Sequence, residues 1–215
     1  MQLIDLSHPI TAGMPVYPGD PEVTVEPALS LAQDGAQVSK LTLGTHTGTH
    51  LDAPAHVVAD GRTVDQLALD LLHGPAYVVQ IRTTDLQSLR GRPLGLDDLA
   101  ALPERLPAIV CVATGWDQYF HDPAREDHPY LSLDVVHTLW QKGARVLGVD
   151  TLSPDATAQG TTDNPVHEFW LGHDGIIVEN LTGLTKLPAH VQLSILPLPL
   201  AGLDGSPVRA VAQYP

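Results

Sequence analysis

Cationic side chains are scarce in this chain: 11 Lys and Arg stand against 25 Asp and Glu, a formal net charge of −14. A surface that grips phosphate backbones needs a basic face, so no nucleic-acid partner is expected. The same acidic balance repels anionic lipid head groups, and no apolar run approaches the roughly 20 residues that span a bilayer, so no membrane partner is expected either. Cysteine is nearly absent. The single Cys111 can form no internal disulfide, and its neighbours Ala108-Ile-Val-Cys-Val-Ala read as a buried strand in which a thiol behaves as a small hydrophobe. The first residues, Met1-Gln-Leu-Ile-Asp-Leu-Ser-His, alternate apolar and polar and lack the cationic start and long apolar stretch of a signal peptide. A cytoplasmic protein is the expectation.

Several motifs are also missing. No Gly-x-Ser-x-Gly elbow occurs, which disfavours a serine-nucleophile hydrolase. Gly-x-Gly-x-x-Gly is absent, which disfavours a dinucleotide enzyme. His167-Glu168 begins like a helical metalloprotease motif, but the next histidine is His173, which falls elsewhere on a helix than the i+4 position such a motif needs. No Gly/Ser-rich stretch separates two halves and no internal repeat is visible, so residues 1–215 are expected to form one domain.

What is present is a globular composition, with 43% hydrophobic residues in 215, enough to bury a core without staples. Strand-like runs, mostly β-branched or alternating, occur at Leu3–Leu6, Val23–Leu29, Val38–Thr45, Ala76–Arg82, Ala108–Ala113, Arg145–Val149, Gly175–Glu179, Val191–Leu198 and Val208–Gln213. Ser132–Lys142 is the clearest helix, with Leu133, Val136 and Trp140 on one face and Gly143 as its stop. Weaker helical patterns lie at Asp65–Leu72, Asp97–Leu102 and Val166–Leu171. The fold class is therefore mixed α/β, rich in strands; periodicity alone does not choose between an open sheet and a barrel. The 19 prolines and 18 glycines imply many ordered loops between strands.

The chemistry concentrates in His46-Thr-Gly-Thr-His50-Leu-Asp52-Ala-Pro54-Ala-His56. All its imidazoles and its carboxylate stand at even positions, on one face of an extended chain. Imidazole and carboxylate are ligands for zinc or a similar divalent ion. Four residues of straight strand span ~13 Å, the limit for two His ligands of one ion, so the chain must bend near Gly48. The expectation is a strand that breaks into a loop, with Pro54 fixing the exit.

His-x-Gly-Thr-His-x-Asp-x-Pro-x-His resembles the signature of the metal-dependent cyclase family, which includes bacterial kynurenine formamidases and isatin hydrolases. The resemblance extends through Asp5-Leu-Ser-His-Pro-Ile, Pro15-Val-Tyr-Pro-Gly-Asp20, Thr114-Gly-Trp-Asp117, Gly148-Val-Asp-Thr-Leu-Ser-Pro-Asp155 and Glu179-Asn-Leu181. It implies a swivelling β/β/α domain, assembled as a homodimer or tetramer. It implies that His46, His50 and Asp52 bind a first metal and that Asp52 bridges to a second, held also by His167 and Glu179. His56 would be the catalytic acid/base. Zinc is the ion expected, manganese the alternative, in one or two copies.

The activity implied is hydrolysis of a C–N amide bond in a small molecule, an arylformamide such as N-formyl-L-kynurenine. A cyclic amide of the isatin type, a carbamate or a lactone is the alternative, and a non-catalytic metal or small-molecule binder the remoter one. In the kynurenine enzymes the loop before Pro-Gly-Asp usually carries a tryptophan against the aromatic substrate; here Tyr17 stands there and is the expected substrate contact. His8, Asp150 and Asp155 read as structural, Trp116 and Asp117 as either packing or pocket lining. His73, His121, His128, His137, His173 and His190 read as surface or ordinary polar residues.

Overall fold

The computed structural model describes residues 2–157 and 163–215. Its strands are β1 (Gln2–Asp5), β2 (Thr24–Leu29), β3 (Val38–Thr42), β4 (His50–Asp52), β5 (His73–Gln80), β6 (Pro93–Leu94), β7 (Ile109–Ala113), β8 (Tyr130–Leu131), β9 (Val146–Val149), β10 (Ile176–Glu179), β11 (His190–Pro197) and β12 (Gly205–Tyr214). Helices are α1 (Leu31–Asp34), α2 (Leu133–Gln141) and α3 (Pro165–Gly172). The strand-rich mixed α/β class is as expected.

The main sheet runs β1-β12-β11-β5-β7-β9-β10-β4, and β4 also pairs with β12, closing seven strands into a ring. Strand β12 is long enough to share one edge: Gly205–Pro207 pair with β4, while Val211–Tyr214 pair with β1. Four neighbours, β5, β7, β9 and β10, are parallel. Every residue of β7, β9 and β10 is buried, as parallel strands covered on both faces require. Alternation sorts them into two cores. Leu51, Val78, Cys111, Val178, Ile195 and Ala210 fill the ring, and Val112, Leu147 and Ile177 pack outward with Val136 of α2 and Trp170 of α3. At Gly148 a Cβ would lie 2.6 Å from the Cys111 sulfur, so the ring closes only with glycine there.

Several expected boundaries move. The run from Val38 stops as strand at Thr42, and β2 and β3 form a separate, fully exposed hairpin outside the ring. Strand β4, too short to show a pattern, is set by its two neighbours. On α2 the buried side chains are Val135, Val136 and Leu139, while Leu133 is 40% exposed. Val135 and Leu139 form an i, i+4 pair that meets the sheet, and Trp140 turns aside to lie 4.1 Å beneath the Arg145 guanidinium. The patterns at Asp65–Leu72 and Asp97–Leu102 fold as short 3₁₀ turns, Val64–Gln66, Leu69–Leu71 and Leu96–Asp98, because segments this brief cannot nucleate an α-helix.

Candidate active site

Asp52, His50 and Glu179 share one face of the ring's wall. His50 and Asp52 are two apart on β4, opposite Leu51, which points into the ring; Glu179 of β10 is the register partner of His50. His46 reaches them from a turn in which Gly48 takes φ +63°, a left-handed conformation that suits glycine. The bend expected near Gly48 is thus present, but the segment before it is turn and not strand. The His46 and His50 rings stand 5.1 Å apart. Pro54 opens a 3₁₀ turn, Pro54–His56, that brings His56 to within 4.1 Å of His46, ring to ring.

His167 descends from α3. Asp155 accepts hydrogen bonds from the Val166 and His167 backbone amides, capping the helix, and lies 2.7 Å from His167 Nδ1, which turns Nε2 inward. His167 Nε2 then lies 3.2 Å from Glu179 Oε1 and 3.6 Å from Asp52 Oδ2. His50 donates from Nδ1 to the Gly48 carbonyl at 2.8 Å, so its Nε2 faces Asp52 Oδ1 at 3.4 Å and Glu179 Oε2 at 3.3 Å. His46 Nδ1 is 2.7 Å from Asp52 Oδ1.

Charge is concentrated here out of water. Burial opposes protonation of His50, but the Asp52 and Glu179 carboxylates outweigh it and lift its pKa to about 10. His167 is raised in the same way, against burial, by Asp155, Asp52 and Glu179. Burial alone would raise Asp52, yet the imidazoles around it hold it well below the usual carboxylate range. Three buried atoms, His50 Nε2, Asp52 Oδ2 and Glu179 Oε1, have no hydrogen-bond partner. Buried polar atoms left so are rare and costly. Ligand atoms of His50, Asp52 and Glu179 lie within 4.8 Å of one another, as do those of His46, Asp52 and His56, with Asp52 common to both groups. This donor set suits a divalent cation.

His46, His50, His167 and Glu179 line a cavity of about 190 Å³ together with Tyr17, His56, Phe120 and Leu152, and Asp52 is buried behind them. Asp20, whose carboxyl is raised by burial, is also on its rim. Trp116 and Asp117 do not line it: Trp116 packs in the outer core, and the Asp117 carboxylate accepts from Thr182 Oγ1 and the Gly183 amide. His8 stacks on Phe120 at 3.8 Å, one layer behind the wall. Asp150 holds the Thr114 and Gly115 amides and the Thr114 hydroxyl, with burial raising its pKa to about 7. His128, of the two readings open for it, is the ordinary polar residue and not the surface one: it is buried and held by the Pro129 carbonyl and Thr157.

Two residues at the site lack a local signal. Asp155 reads as a loop residue that caps or turns the backbone, and it does cap α3, but its second oxygen also orients His167. Asp204, in the turn before β12, lies 2.8 Å from His46 Nε2 and 3.2 Å from His56 Nδ1. Its partners are more than 140 residues away in sequence, beyond any periodicity.

A family model described as putative cyclase matches residues 4–156. Kynurenine formamidase of Salinibacter ruber is 34% identical over 215 residues, covering 99% of this chain and 98% of that protein. The Geobacillus thermodenitrificans kynurenine formamidase is 30% identical, covering 98% and 96%. Among solved structures, isatin hydrolase A from Ralstonia solanacearum superposes with a TM-score of 0.83 at 23% identity, covering 98% of this chain and 91% of that one, a likeness of fold. A protein described as a potential metal-dependent hydrolase with cyclase activity gives 0.78 at 27% identity, covering 100% and 99%. With the segment His46–His56 inside the matched region and relatives above the 30% level along nearly the whole chain, this protein belongs to the cyclase family.

Proposed function

We propose that the protein is a metal-dependent amidohydrolase that cleaves the formyl C–N bond of an arylformamide, N-formyl-L-kynurenine being the substrate of choice. The observation that carries the reading is the convergence of unpartnered, buried His50 Nε2, Asp52 Oδ2 and Glu179 Oε1, two of whose residues, His50 and Glu179, line the cavity. The full-length likeness to kynurenine formamidases supports the substrate.

In this reading His46, His50 and Asp52 would hold one ion, and Asp52, His167 and Glu179 would hold a second; zinc suits the mixed imidazole and carboxylate set, and manganese is the alternative. A divalent ion so held polarises a carbonyl and lowers the pKa of water from 15.7 to about 7. His56 does the proton work. Asp204 lies against its Nδ1, which leaves Nε2 to take the proton of the attacking water and return it to the departing nitrogen. One water is consumed, and formate and the free arylamine leave. Phe120 and Leu152 keep bulk water from the reacting carbonyl, and the Tyr17 ring stacks on the aryl group. A small molecule is the partner, processed by a single domain over 1–215 that assembles as a homodimer or tetramer.

Metal-loaded protein should turn over N-formyl-L-kynurenine with kcat/KM of roughly 10⁴ M⁻¹s⁻¹ or more. His56→Ala should retain its metal, measured by elemental analysis, and lose at least ~100-fold in kcat; an unchanged rate would remove His56 from the mechanism. Tyr17 favours one second reading, a cyclic amide, since a phenol offers an isatin-like lactam both a ring and a hydroxyl. Ring opening of isatin with no turnover of the formamide would select it.

A further inference from the structure

Among the described residues, Asp204 is the one carboxylate outside the proposed ligand cluster that touches both His46 and His56. Its Oδ2 stands 2.8 Å from His46 Nε2, whose other nitrogen faces Asp52, and 3.2 Å from His56 Nδ1. The segment carrying it is built to stay in place. The Asp204 carbonyl accepts from the Ala53 amide at the end of β4, and the Leu203 carbonyl accepts from Val64. The Gly202 amide donates to the Asp65 carboxylate. Next to it, Gly205 gives the His46 ring its seat: a Cβ there would lie 2.7 Å from His46 Cε1 and 3.0 Å from the Leu51 carbonyl. The ring of His46 is thus clamped between the β12 backbone and the Asp204 oxygen.

We infer that Asp204 is a positioning residue that sets the orientation and tautomer of the ligand His46 and of the acid/base His56 together, locking the ion's place to that of the proton carrier. A carboxylate accepting the distal N–H of a metal-bound imidazole aims the ring and raises its basicity, and losing such a partner costs 10–100-fold in metal affinity. Accepting from His56 Nδ1 leaves Nε2 as the nitrogen that meets water. This inference rests on the proposed roles of His46 and His56, and each half has its own readout.

The test compares Asp204→Ala and Asp204→Asn with wild type and with His56→Ala. Competition of zinc against a chromophoric chelator reads the His46 half, and kcat and KM at saturating zinc read the His56 half. Expected are a zinc affinity lowered about 10–100-fold in Asp204→Ala, a kcat lowered about 10–100-fold with KM within twofold, and Asp204→Asn between Ala and wild type, because its neutral carbonyl still accepts. Asp204→Ala added to His56→Ala should cost no further kcat, since both act on one proton carrier. Affinity and kcat within twofold of wild type in both variants would overturn the inference, as would additive kcat losses in the double variant. An unchanged kcat in His56→Ala would strike the acid/base reading, while the zinc titration would still decide the His46 half. Asp204→Asn, close in shape, answers both questions should the alanine variant fail to fold.

Discussion

At the scale of single residues, what a histidine does here follows from what its second nitrogen touches. His50 is aimed by a backbone carbonyl, His167 by Asp155 and His46 by Asp204, while His8 is stacked on Phe120 with His121 at its edge. Burial against Phe120 pushes His8 down to about 4. Since an unfolded histidine titrates near 6.5, the unfolded chain takes the proton first as pH falls. The stability that this neutral ring contributes is full above about 6.5 and is lost on descending toward 4. His8→Phe keeps the stack without the proton, so its denaturation midpoint should gain on the wild type between pH 6.5 and pH 4.5; parallel pH profiles would refute the assignment. Residue types and spacing made the clustering of His46–His56 legible in the sequence, because four titratable groups of one parity are a local signal. The contacts of His167, Glu179 and Asp204 with it were not local. Family resemblance pointed to the first two; nothing pointed to Asp204, since an acid before a Gly-Ser-Pro turn reads as an ordinary turn residue.

At the scale of elements, the strands with continuous apolar runs could be placed to within a residue or two, because burial on both faces leaves a dense signal at Ile109–Ala113 and Ile176–Glu179. Strand β4 showed only the parity of its site groups, and no apolar run set its bounds. Its three residues carry two site groups and one apolar side chain, and only β10 and β12 beside it make it a strand. Helix α3 shows how an element can be tied to a site. Asp155 is both its cap and the partner of His167, so one substitution loosens both. Asp155→Ala should cost about 1–2 kcal/mol of stability from the lost cap, read as a lower thermal midpoint. It should also lower metal occupancy, with His50 and Asp52 unaltered. A stability loss with full metal retention would mean that His167 needs no such guidance.

At the scale of the whole molecule, the ring and the site use the same strand. Strand β4 pairs with β10 on one side and with β12 on the other, so the seam that shuts the barrel is also the wall that carries His50, Asp52 and Glu179. Stripping the ion with a chelator should lower the midpoint of thermal unfolding, since a ligand bound only by the folded state at 1,000 times its Kd contributes about 4.1 kcal/mol. The amides of β4 and its partners should lose hydrogen-exchange protection before those of β5 and β7; uniform exchange across the ring would contradict this. Residues 50–52 and 176–179 lie more than a hundred positions apart, and an ion gripped by both is a stitch between the early and late parts of the chain. Asp52 and Glu179 meet only across the closed seam, so on the proposed assignment the second half of the centre would be completed by the same step that shuts the barrel.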